Sequence, residues 1–148
     1  MSNLLGVESL IVARLEEKLA AHDPRPHILT APDLADVAEE KQLTPAVHVV
    51  YGGMRIAQDD GHGSYIELEQ TWYTVIAVRN LRDMRKGSAA RADAGELLDA
   101  VFRALTGWKP GLDIRALRPA TAPRAAYSGG FGYYPLAWTT RMQMRGEA

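Results

Sequence analysis

The chain has 148 residues, enough for one domain built on one hydrophobic core. With 47% hydrophobic and 24% charged residues and a formal net charge of -1, it has an ordinary globular composition and lacks the strongly basic balance of a nucleic-acid binder. The absence of cysteine excludes disulfides, thiolate metal sites and cysteine nucleophiles.

The first residues do not read as a signal peptide, because they lack a positive n-region and Glu8, Arg14, Glu16 and Glu17 interrupt the apolar positions. No later stretch approaches the roughly 20 apolar residues of a membrane span. Ser9 to Ala21 predicts an amphipathic helix that starts near Asn3, with Val7, Leu10, Ile11, Leu15 and Leu19 on its apolar face. Arg14 falls beside that face, where its stem can lie on apolar surface and its charged head reach water. Asp23-Pro24-Arg25-Pro26 ends the helix. His27 to Thr30 is a short strand candidate, and Ala31 to Val37 offers one or two helical turns. Glu39 to Gln42 reads as a solvated connection.

Pro45 to Tyr51 predicts a strand stopped by Gly52-Gly53, with Met54 to Ala57 continuing it past a bend or bulge. Gln58 to Ser64 is a polar loop, and Tyr65 to Glu69 leads into Gln70–Asn80, a long run of aromatic and β-branched residues without glycine or proline. Ala46 to Asn80 is therefore an antiparallel hairpin with its tip at Asp59–Ser64. In its second strand Trp72, Thr74, Ile76 and Val78 share one face, and Tyr73, Val75, Ala77 and Arg79 the other. A cationic turn follows. Ser88 is the expected N-cap of a helix over Ala89–Thr106, whose apolar face is Ala90, Ala94, Leu97, Leu98, Val101, Phe102 and Leu105, with Gly107 as its stop. Ile114 to Pro119 can hold a short strand, and Tyr133 to Met144 is the last one; the tail from Arg145 should be loose. This order predicts a single α+β domain over 1–148: one mainly antiparallel sheet with a long projecting hairpin and two principal helices packed on it. Two helices cover one sheet face. Tyr73, Val75 and Ala77 on the other call for a third element or a symmetric oligomer.

Residue chemistry yields no catalytic signature. Asp59-Asp60-Gly61-His62 carries metal-ligand types, but its spacing matches no metal motif and a solvated turn is the simpler reading. His48, between Val47 and Val49, has no serine, cysteine or paired carboxylate at a telling spacing. Ser128-Gly129-Gly130-Phe131-Gly132 lacks the lysine of a phosphate loop and precedes a strand, so a hairpin turn is favoured. Arg79, Arg82, Arg85 and Lys86, beside Asp83, form a basic run suited to a solvated helix approach, to DNA phosphate or to an acidic protein rim.

Several segments, taken in order, resemble the tail terminator-like proteins of Mu-like phages and prophages. They are Ile11-Val12-Ala13-Arg14-Leu15, Thr44 to Tyr51, Trp72 to Asn80 continuing into Leu81-Arg82, and Ala94-Gly95-Glu96-Leu97-Leu98. Ala104-Leu105-Thr106-Gly107-Trp108-Lys109-Pro110, the most specific piece, and Leu136 to Met142 complete the set. The resemblance implies a virion protein with no catalytic residues, cofactor or metal. It implies a ring, usually of six copies, at the neck end of the tail and assembled in the host cytoplasm. The ring caps the tail tube, stops its polymerisation and offers a docking surface to the head-side connector. Its partners would be other copies of itself, the tube protein, the connector and, in a contractile tail, the sheath; neither a membrane nor sequence-specific nucleic acid is expected. Arg55, Asp59, Asp60, Tyr65 and Glu67 are the candidate subunit interface, and Arg82, Arg85 and Lys86 the candidate contact with tube, sheath or connector. The alternatives are a neck or tail-completion protein that joins heads to tails without setting length, a small metal-dependent hydrolase using Asp59, Asp60 and His62, and, less favoured still, a regulatory DNA-binding module.

Overall fold

A computed structural model describes residues 3–37, 43–79 and 88–147, with the backbone alone for 88–91. The aromatic and β-branched run predicted as the long strand is β3, Ile66–Arg79. Two other long strands flank it: β2, Ala46–Asp59, and β6, Phe131–Met144, both antiparallel to it. The short β1, His27–Ala31, runs parallel to β2 and covers only Ala46–Val50 of its outer edge. On the far side β4, Arg118–Ala120, and β5, Ala126–Ser128, pair with β6 as two pieces of one interrupted edge. Pro135 lies opposite the break between them, so its missing N–H falls where β6 has no second partner. The sheet is thus mixed but mainly antiparallel, in the order β1-β2-β3-β6-β4.

The helices are α1, Val7–Lys18, the short α2, Leu34–Val37, and α3, Ser88–Leu105. α1 begins at Val7 rather than near Asn3, because the Asn3 side chain accepts from the Leu5 amide (2.9 Å) and its carbonyl from the Gly6 amide (3.1 Å), which closes a turn instead. Val7, Ile11 and Leu15 from α1 and Ala94, Leu97, Val101 and Leu105 from α3 pack on the face of the sheet that carries Trp72, Ile76, Val78 and Trp138. Phe102 sits at the rim of this layer with its ring centroid 5.6 Å from that of Trp138. Ser88 as a side-chain cap and Ala90 as a face residue lie outside the described side chains.

Two buried tryptophans set this layer, and both have a partner for the indole N–H. Trp138 Nε1 donates to Thr74 Oγ1 at 3.0 Å, and Trp72 Nε1 donates to Gln70 Oε1 at 3.1 Å. Gln70, fully buried, donates in turn to the Leu4 carbonyl, which fastens the segment before α1 to β3. The polar groups are therefore satisfied where a bare amide would destabilise the core by about 1–3 kcal/mol.

The second sheet face does not need another chain to cover it. Val75 and Ala77 are buried with Ala46, Val50 and Tyr133, and Val37 of α2 packs against them while Tyr73 is partly covered. The third element that the sequence left open is this short helix, and Val75 and Ala77 are covered within the chain. His48 is buried on the same side of β2, and burial pushes its imidazole below the usual histidine range by disfavouring the charged form.

Arg14, partly exposed beside the apolar face as expected, also has protein partners for its head. Nε donates to the Ala104 carbonyl at 2.9 Å, one of the groups left over at the end of α3, and the guanidinium lies 5.3 Å from the centroid of the Trp108 ring. Gly107 at φ 75° turns the chain out of α3, and its N–H and the Trp108 carbonyl are both bonded to Leu117. The Thr106-Gly107-Trp108 stretch is thus the joint at which α1, α3 and the approach to β4 are tied together.

Replacing Arg14 with alanine should lower stability by about 1–2 kcal/mol, read as a lower urea midpoint at unchanged slope; an unchanged midpoint would mean the joint does not depend on this guanidinium. His48 predicts a pH effect of defined sign. Its pKa is lower in the fold than in the unfolded chain, so below about pH 6.5 the unfolded chain takes up the proton first and stability falls with pH. Wild type should lose more stability than His48→Gln as pH is lowered through this window. Parallel curves would show that His48 is not the source.

Candidate assembly surface

β2 runs out along β3 through two register shifts, between Tyr51 and Met54 and between Ile56 and Gln58. Each places an extra β2 residue against β3 and adds twist. At the first, a side chain on Gly52 would lie 2.6 Å from the Tyr73 ring and 3.0 Å from the Thr71 carbonyl, and Gly53 has φ 105°. The bend predicted at Gly52-Gly53 is therefore built, and β2 runs on to Asp59. The projection is wider than the hairpin read from the sequence. β6 stays paired with β3 through Ile66↔Met144, so three strands extend together.

The two faces of this extension differ. On the face away from α1 and α3, Arg55, Glu69 and Arg141 stand in one row across β2, β3 and β6. Arg55 Nε donates to Glu69 Oε1 and Arg141 Nε to Glu69 Oε2, both at 2.9 Å. Arg55 is the first cause, and Arg141 a further one, that holds the Glu69 carboxyl below the usual carboxylate range. Exposed pairs of this kind are worth about 0–1 kcal/mol, so the row does more for register than for stability. Next to it, Glu67 is only 3% exposed. The Tyr65 hydroxyl donates to Glu67 Oε2 at 3.4 Å and accepts from Gln143 at 3.3 Å. Glu67 Oε1 is buried without a hydrogen bond; its nearest cations are Arg115 Nη2 at 3.4 Å and Arg141 Nη1 at 3.9 Å.

On the opposite face Leu68 and Met142 are buried, whereas Met54 (49% exposed), Ile56 (56%) and Met144 (41%) are open. Along the outer edge of β6 runs a groove of about 670 Å³, lined by Glu67, Lys109, Leu112, Arg115, Arg141 and Met144 among others. Leu112 is 93% exposed at its rim.

The tip is a turn closed by its own aspartates. The amides of Gly61 and His62 donate to Asp59 and Asp60 at 2.8 and 2.9 Å, and Ser64 donates to Asp60, which, with the His62 amide, keeps that carboxyl below its usual range. This is ordinary turn chemistry. Among the described residues no group of three or more His, Asp or Glu is placed to hold a metal. The tail is less loose than its composition predicts, since the Gly146 amide donates to the Gly63 carbonyl at 2.7 Å. Ser128 to Phe131 is the turn between β5 and β6.

The candidate interface residues thus divide. Arg55, Asp59 and Asp60 are exposed on β2 and the tip, while Tyr65 and Glu67 are drawn into the extension and organise it. Arg82, Arg85 and Lys86 lie outside the described residues. Sequence reasoning passed over Met54, Ile56, Glu69, Leu112, Arg115 and Arg141. The usable signal was Met54 and Ile56 alternating past a bulge toward a polar turn; Leu112 is a lone apolar residue in a proline-glycine loop and gives none.

No curated protein sequence matches this chain. Among solved structures, a chain of one described as "Virion of native gene transfer agent (GTA) particle" shares the fold, with a TM-score of 0.53 at 17% identity over 94% of this chain and 98% of that one. A family model described as "Phage tail terminator protein" matches residues 1–148, the whole chain. The chain therefore belongs to the phage tail terminator protein family, and is a structural protein of the virion tail rather than an enzyme.

Proposed function

We propose that copies of this chain form a closed ring, of six as in the Mu-like resemblance, at the neck end of the tail, assembled in the host cytoplasm. The ring caps the last layer of the tail tube, stops its polymerisation and presents the surface on which the head-side connector docks. In a contractile tail it also meets the end of the sheath. The observation that carries this reading is the family match over residues 1–148. A three-stranded extension with open apolar side chains on one face and a charged row on the other is consistent with it, as a surface built for protein contact. Arg55, Asp59 and Asp60 belong to the ring contact in this reading, with Tyr65 and Glu67 holding the extension in shape. The basic run Arg82, Arg85 and Lys86 contacts tube, sheath or connector.

The direct test is electron microscopy of particles assembled with a stop codon at Glu8. Tubes of uncontrolled, mostly excessive length without heads are expected. Headless tails of normal length would replace termination with simple joining, and normal infectious particles would overturn both. For the basic run, charge reversal at Arg82 and Arg85 should impair joining of heads to tails while leaving thermal unfolding of the purified chain unchanged. Wild-type phage yield would remove that role.

A further inference from the structure

We infer that the groove along the outer edge of distal β6 is the socket for the distal β2 edge of a second copy of this chain. The inference rests on the ring reading and assigns its contact surfaces. Three observations lead to it.

The first is position. β2 and β6 flank β3, so the groove and the β2 edge lie on opposite sides of the same extension. A contact between them uses two different surfaces of one chain. Repeated with a rotation that closes, such a heterologous contact makes a ring, whereas a self-complementary patch stops at a dimer.

The second is what each side lacks. β1 covers β2 only as far as Val50, and beyond it the outer backbone edge of β2 has no strand partner among the described residues. Such an edge invites pairing or cover. Across the extension the groove leaves Leu112 93% exposed, while Glu67 is buried behind Arg115 and Arg141, 3.4 and 3.9 Å from its Oε1. The arriving edge covers Leu112 and brings backbone N–H groups and the Gln58 amide to the polar side chains of the groove.

The third is complementarity. Met54 and Ile56 are the open apolar residues of β2, and Leu112 and Met144 those of the groove. The β2 strand ends in Asp59 and Asp60, and the groove has three cations, Lys109, Arg115 and Arg141, against two carboxylates, Glu67 and Asp113; Arg141 is held by Glu69, while the Arg115 side chain stays 65% exposed. The acidic tip thus meets a wall with an excess of positive charge, which favours this register over the reverse.

The absence of cysteine allows a clean cross-linking test. Ile56→Cys and Leu112→Cys are made as separate full-length variants, both at exposed positions that leave the core intact. After mild oxidation, a disulfide-linked dimer is expected in the mixture of the two and in neither alone. The double variant should give a ladder that ends at the ring size. Leu112→Asp should weaken self-association by about tenfold or more on sizing, with thermal unfolding of the subunit unchanged. Ile56→Cys linking to itself would mean a self-complementary contact and overturn the inference. So would an oligomer on sizing with no mixed cross-link, which leaves the ring reading standing. A chain that stays monomeric at every concentration, alone and with tail tubes, would overturn both.

Discussion

Pairing of β3 along both edges, unbroken on the side of β6, is the constraint from which the rest of the structure follows. Each of its residues from Ile66 to Arg79 is matched by one on β6, and β2 follows it on the other side with two interruptions. Because this ladder does not stop where the helices stop, one strand has to serve two environments. Near Trp72, Ile76 and Ala77 it is covered on both faces. Toward Glu67 and Glu69 it leaves the helical layer, and its side chains change from apolar to charged on one face only. The extension is the same sheet without its cover, which is why it can be rigid and exposed together.

The energies are divided in the same way. Burial of two tryptophans with satisfied indoles belongs to the part under α1 and α3, where removing a large aromatic side chain costs about 3–5 kcal/mol. The extension relies on contributions several times smaller, in the Arg55–Glu69–Arg141 row and the Tyr65–Glu67–Gln143 contacts. Those contacts align strands. They also leave the open side chains of Met54, Ile56 and Met144 available to a partner, as suits a protein of the phage tail terminator family whose work is to be joined to its neighbours.

How much of this could be read from the sequence depended on whether the signal was local. The amphipathic helices, the long strand and the turn at Gly129-Gly130 were legible, because periodicity and turn residues act within a few positions. The bulge at Gly52-Gly53 was legible for the same reason. The third strand of the extension was not, since it depends on the register of β6 against β3, in which Glu69 meets Arg141 from 72 positions away. The partner of Arg14 was not legible because the Ala104 carbonyl comes from the end of another helix. The second sheet face was left uncovered because Val37 sits in a helix of a single turn, too short to display a face of its own. The groove has no sequence signature at all: Leu112, Arg115 and Arg141 meet only after folding.

The unbroken match of β3 to β6 has a mechanical consequence. Load applied along the strands at the far end of the extension is borne in shear, by many cross-strand bonds at once, and is delivered directly to the tryptophan layer. No hinge intervenes at which the projection could fold back. A subunit built this way behaves as a lever fixed in its own body, so displacement of the tip by a neighbour would tilt the whole molecule.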